Sequence, residues 1–313
     1  MTDPASSKVC ADAATYIKSK LAAGFAPKIG VFCGTNMQPI ADLIIEERID
    51  VPFSEIPGFV YNPDSKKLFG KFVFGILEDS PVALLFGACK YYEGHSLRQI
   101  TMPIRVMKLL GVSIVIMTNA SASINPEFKV GDICVVTDHI SFPSISGLNP
   151  LIGPNYSTMG PRILSMSDAY SFKLSKLAFD IWLRSPELTK RKVQLKECTY
   201  FYSVGPSFET RAECRAARIL GGDVLGCSTV PEVQVARHCN IEVLCLTLVT
   251  TTAYSYDKVS PKDAAIAAFN GQSTNSLENH NIIENIHLDN STKATLSRPA
   301  DISTLVKLIV SAL

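Results

Sequence analysis

The chain has 313 residues, 47% of them hydrophobic, with 30 basic against 29 acidic side chains and a formal net charge of +1. That apolar share can fill one sizeable core, while near-neutrality leaves no electrostatic footprint for a nucleic-acid backbone or an anionic membrane, so any anion site has to be local. Nine cysteines, odd in number and without CxxC spacing, read as reduced, buried thiols. With no signal-peptide pattern and no membrane-length apolar run, the expectation is a cytoplasmic protein that binds neither membrane nor metal.

In chain order, residues 8–23 have the spacing of an amphipathic helix, and Lys28–Cys33 is a short apolar strand entering a loop at Gly34. Phe72–Leu77 and Val82–Phe86 are strands separated by the turn Glu78-Asp79-Ser80-Pro81. Met102–Leu110 has helical spacing and is ended by Gly111, and Ser113–Met117 and Asp132–Thr137 follow as strands. Residues 143–166, rich in Pro, Gly, Ser and Asn, form a long ordered loop of the kind that usually carries function. Helical character resumes over 167–184; Thr199–Val204, Val224–Cys227 and Ile241–Val249 are strands, the first two with a helix between them. Residues 271–302 read as a flexible insertion before a last helix, Ile302–Leu313, within a single domain spanning 1–313. Alternating helices and all-apolar strands predict an α/β fold with a mixed central sheet covered on both faces.

Four segments carry chemistry. In Gly205-Pro206-Ser207-Phe208-Glu209-Thr210-Arg211-Ala212-Glu213, Thr210 and Glu213 have capping-box spacing, so a helix starts at Arg211. Phe208 and Glu209 then sit on the strand-to-helix loop where α/β proteins place ligand groups; a carboxylate can accept N–H bonds from a nucleobase and a ring can stack on it. In Gly226-Cys227-Ser228-Thr229-Val230-Pro231-Glu232, Thr229 and Glu232 repeat the capping spacing, which puts Ser228 at a helix N-terminus suited to an anion. Cys33-Gly34-Thr35-Asn36 and Thr118-Asn119-Ala120-Ser121-Ala122-Ser123 are small, polar strand exits that let a ligand approach the backbone. Taken singly, each segment reads first as an ordinary cap or loop. No histidines pair at metal-ligand spacing, His139 and His238 read as structural, and GxSxG, Walker A and GxGxxG are absent.

Taken together, and in this order, Tyr92-Glu93-Gly94, Thr118-Asn119-Ala120, Gly153-Pro154-Asn155, Met166–Tyr170, Gly205–Glu213, Gly226–Glu232 and Val235–Cys239 resemble the trimeric purine nucleoside phosphorylases. The resemblance implies a three-layer α/β/α fold and a homotrimer of purine salvage. It implies reversible phosphorolysis of nucleosides to free base and ribose 1-phosphate, with inorganic phosphate as co-substrate and no cofactor. It assigns Phe208, Glu209, Leu225 and Thr251 to the base. Tyr92, Cys227, Met159 and the late His280 go to the ribose, with Met159 donated by a neighbouring subunit. Thr35, Lys90, Ala120 and Ser228 go to phosphate. Glu209, Thr251 and His280 would act in catalysis. The departures are Thr251 for the family's base-facing Asn, Leu68 and Ala88 for a His and an Arg of the phosphate site, and Lys90 for a His. They imply altered base specificity, with a methylthioadenosine enzyme as one variant, and weaker phosphate binding. They leave open a nucleoside-binding trimer with little catalysis, or a phosphate-independent hydrolase.

Overall fold

The computed structural model describes residues 6–34, 37–44, 46–61, 70–190, 194–253, 260–272 and 298–313. Its nine described strands are β1 (Ile29–Cys33), β2 (Glu46–Pro52), β3 (Lys71–Leu77), β4 (Ser80–Phe86), β5 (Ile114–Ser123), β6 (Ile133–Ser141), β7 (Leu195–Tyr202), β8 (Val224–Gly226) and β9 (Glu242–Thr252). The described α-helices are α1 (Ser7–Lys20), α2 (Gln38–Ala41), α3 (Leu97–Ile100), α4 (Met102–Leu110), α5 (Phe142–Ile145), α6 (Phe172–Arg184), α7 (Pro186–Thr189), α8 (Arg211–Ile219), α9 (Val230–His238), α10 (Pro261–Phe269) and α11 (Pro299–Ser311).

One mixed sheet runs β2-β3-β4-β1-β5-β8-β7-β6-β9, and β5 pairs with β9 as well. That extra pairing closes β5, β8, β7, β6 and β9 into a ring, a feature the sequence did not announce. Closure removes one sheet edge and narrows the strand ends toward a common mouth.

Each helix face follows its apolar spacing. Cys10, Ala13, Ala14 and Ile17 recur at the helical period and bury α1 against the sheet beside α4 and α9. The opposite face is covered by α2, α6 and α11, with Leu174, Ala178, Trp182, Ile302, Leu305, Val306 and Ile309 in its core. The expected three layers are therefore present. α8 packs separately, through Cys214 and Ala217, on Ile124, Phe201 and Leu225.

The predicted turn between β3 and β4 is two residues long, with Glu78 and Asp79 at φ 49° and 61°, the left-handed pair that matches strand twist in a tight hairpin. β1 runs parallel to both β4 and β5, and β5 runs parallel to β9, so the carboxyl ends of all four strands share one edge. Ligand sites in α/β sheets gather at such an edge. Of residues 271–302, only the ends are described, so the proposed insertion lies outside the described residues over 273–297.

Candidate active site

The floor of the site is where β1 ends against β5. The Gly34 N–H donates to Thr118 Oγ1 at 3.3 Å, and Thr118 Oγ1 donates to the Phe32 carbonyl at 3.1 Å. A Cβ on Gly34 would lie 2.4 Å from the Thr118 carbonyl oxygen and 2.8 Å from Asn119 Cα. Backbone meets backbone here, which only glycine permits.

Above the floor stands the N-terminus of α9, and here the sequence expectation needs correction. Thr229 does not cap the helix with its side chain. It sits at φ 79°, ψ −49°, and the Val230 N–H donates to the Ser228 carbonyl at 2.9 Å. That is a γ-turn of the rare hand, strained for a β-branched residue and therefore maintained only by its surroundings. The support is visible: Asn119 Nδ2 donates to Thr229 Oγ1 at 2.8 Å, and the Ser228 and Thr229 hydroxyls lie 3.3 Å apart. The hydroxyl that local spacing assigned to capping is thus claimed by β5. The Thr229 backbone still favours the charged form of the Glu232 carboxyl. The turn is thus tied through Thr229 to Asn119, in the second half of β5, with the Ser228 hydroxyl beside it. Gly226 fixes the approach from below, since a Cβ there would fall 2.2 Å from the hydroxyl of buried Tyr200.

The mouth is built from two loops. After β7, Gly205 at φ 63° lies against Tyr92 and Cys227, its would-be Cβ 3.1 Å and 3.5 Å from them. Beyond it Phe208 is 76% exposed and Glu209 half-buried, before the α8 capping box forms as expected, with Glu213 N–H donating to Thr210 Oγ1 at 3.2 Å and Thr210 N–H to Glu213 Oε2 at 2.6 Å. After β4, Lys90 holds its ammonium 6.0 Å above the Phe32 ring. Burial pushes the Cys227 thiol up; Lys90 opposes that shift and Glu209 adds to it. Burial also raises the Tyr92 phenol, with Cys227 and Glu93 contributing.

The structure therefore brings Lys90, Tyr92, Glu209, Cys227 and Ser228 together. Leu225 is buried in β8 opposite Ala122, and Thr251 of β9 is half-buried at the register position of that same Ala122. Thr35, Leu68 and His280 lie outside the described residues. Met159 is only 7% exposed and packs in a core cluster of its own chain. Its N–H donates to the carbonyl of Tyr156 at 2.8 Å, and the Tyr156 ring lies 4.9 Å and 5.5 Å from the Arg98 and Arg105 guanidinium groups. His139 and His238 are structural, at 3.0 Å from the Tyr170 hydroxyl and Asn155 Oδ1 respectively. Asn119, Thr229 and Glu232 are the site residues that sequence reasoning did not single out. Among the described residues, no group of three or more His, Cys, Asp or Glu could hold a metal ion, and no helix is long and apolar enough to cross a membrane.

At this edge the parallel strand ends meet a helix N-terminus, a lysine and a half-buried carboxylate. Residues 28–279 match the model of the phosphorylase superfamily. The chain is 41% identical to purine nucleoside phosphorylase 1 of Geobacillus stearothermophilus, over 77% of this chain and 83% of that one. It is 38% identical to the purine nucleoside phosphorylase of Saccharomyces cerevisiae, over 87% and 91%. Among solved structures, isoform 2 of purine nucleoside phosphorylase from Schistosoma mansoni, in complex with cytosine and ribose-1-phosphate, superposes with a TM-score of 0.82 at 31% identity and 99% coverage of both chains. The chain belongs to the purine nucleoside phosphorylase family.

Proposed function

We propose that the chain catalyses the reversible phosphorolysis of purine nucleosides, giving free base and ribose 1-phosphate, with base specificity altered and phosphate binding weakened relative to family members carrying the full site. The observation that carries this reading is the strained Ser228–Val230 turn, which aims a hydroxyl and a helix N-terminus at the end of β5, with Lys90, Tyr92 and Glu209 around it. Phosphate seated there attacks the anomeric carbon as the glycosidic bond breaks, and the bond's electron pair leaves with the base. Groups that stabilise the departing anion lower the barrier. Glu209 accepts hydrogen bonds from ring N–H groups, Phe208 stacks, and Tyr92 and Cys227 flank the sugar. Ser228, Lys90, Thr35 and the Ala120 N–H receive phosphate. The reaction needs neither metal nor organic cofactor. The test is whether cleavage requires inorganic phosphate and yields ribose 1-phosphate.

The base specificity follows from Thr251. Its hydroxyl is shorter than the family's amide and reaches less far toward a purine N7. Thr251→Asn should restore a donor and raise the turnover of inosine or guanosine. A folded variant with lower turnover would mean that Thr251 is fitted to another base.

The working form is a homotrimer. Phe142, Ile145, Ile152, Ile163 and Phe172 are exposed apolar side chains on and beside the 143–166 loop, the last two at 86% and 82% exposure. Such a concentration is unusual on a monomer's surface. Light scattering at micromolar concentration should return three chain masses, and a clean monomer would contradict it. None of the nine cysteines forms a disulfide and eight are buried, which suits a reducing cytoplasm.

A further inference from the structure

One buried carboxylate borders this site without a role in the reading above. Glu232, the third residue of α9, is only 2% exposed, and its Oε2 has no hydrogen-bonding partner among the described residues. The backbones of Thr229 and of Glu232 itself favour its charged form. Four titratable or charged groups face it: Lys90 from the segment after β4, Tyr202 at the end of β7, Cys245 in β9 and Cys227 from the loop before α9. Among them Lys90 is the cation. Burial raises the Glu232 carboxyl and Lys90 opposes that shift.

Two deficits meet here. A buried carboxylate oxygen without a donor is costly. A lysine on a four-carbon stem is a mobile point charge with no fork to fix it on phosphate. Lys90 now rests over the Phe32 ring, within the electrostatic reach of Glu232. An ammonium placed between the carboxylate and the N-terminus of α9 removes both deficits.

We propose that Glu232 is a positioning residue for phosphate: its carboxylate holds the Lys90 ammonium across the N-terminus of α9, so that one cation serves the buried carboxylate and the incoming phosphate together. This rests on the phosphorolytic reading. Its consequence is a change of sign. With Lys90 present, Glu232 helps phosphate bind; with Lys90 gone, the carboxylate is a bare negative charge beside the anion and hinders it.

The experiment is a double-mutant cycle in the full-length protein, with phosphate varied at saturating inosine. Glu232→Gln should raise the phosphate KM by about 3- to 10-fold, the scale of one charge-assisted contact, with kcat at saturating phosphate much less affected. Lys90→Ala should raise it at least about 10-fold. Adding Glu232→Gln to Lys90→Ala should leave KM unchanged or lower it. A general packing defect would raise KM in both backgrounds. Equal additive increases, or no increase from Glu232→Gln in a phosphate-dependent wild type, would overturn the proposal alone. A wild type indifferent to phosphate would overturn it together with the phosphorolytic reading. Should Glu232→Gln fail to fold, Glu232→Asp keeps the charge but withdraws it by one methylene, and should raise KM by about 3-fold. A Glu232→Asp phosphate KM equal to wild type would again refute the positioning role.

Discussion

Glu209→Ala should lower kcat/KM for inosine by roughly 30- to 1000-fold, the equivalent of about 2–4 kcal/mol of transition-state binding. The expectation follows from the position of the carboxylate. Glu209 lies half-buried on the loop between β7 and α8, close enough to influence the Cys227 thiol, with Phe208 projecting beside it. Removing it leaves the ring N–H groups of a bound base desolvated and without an acceptor. The loss grows as the base departs with negative charge and its hydrogen bonds shift. The α8 capping box depends on Thr210 and Glu213, so the substitution leaves the helix start intact. Thermal stability should therefore stay near wild type while activity falls. Wild-type kinetics in this variant would remove Glu209 from base recognition.

Gly34→Ala should damage both stability and phosphate use. The added methyl would stand 2.4 Å from the Thr118 carbonyl oxygen and 2.8 Å from Asn119 Cα, both backbone atoms within the sheet. Neither can swing aside as a flexible side chain could, so the loop after β1 has to move away from β5. Overpacking of this kind costs about 1–3 kcal/mol, read as a fall in Tm of roughly 2–4 °C per kcal/mol in a large domain. The same movement stretches the contact between Gly34 and Thr118 and draws the strand exit away from the anion pocket, so the phosphate KM should also rise. An unchanged Tm with an unchanged phosphate KM would show that the approach of β1 to β5 is looser than the structure has it.

Much of this architecture is legible in the sequence wherever one local rule acts alone. α4 matches the predicted span because its apolar spacing ends at Gly111, a residue at φ 108° that stops the helix. α8 begins where Thr210 and Glu213 place it. β2 is not legible, because Glu46-Glu47-Arg48-Ile49-Asp50 offers no apolar run; it is an exposed edge strand held by pairing with β3. β5 and β6 outrun their apolar stretches into polar residues, since ring closure and the site need those ends more than the core does. The α9 cap fails for a related reason: Asn119 is 110 residues from Thr229 in sequence, and its bond outcompetes the local one. Glu232 was hidden by the same pattern, because its spacing from Thr229 has the form of a simple cap. The proposed base and sugar residues Phe208, Glu209, Tyr92 and Cys227 lie in contiguous motifs, while the support of the α9 start is written in a pair of distant residues.

The central claim is that phosphate is the nucleophile and that dipoles plus a single lysine suffice to seat it. Initial rates of inosine cleavage by the purified wild-type protein, measured across a phosphate series with the sugar product identified, test this most directly. The rate should rise from near zero without phosphate to saturation at a high phosphate KM, with ribose 1-phosphate as the product. Cleavage at the same rate without phosphate, releasing free ribose, would contradict it.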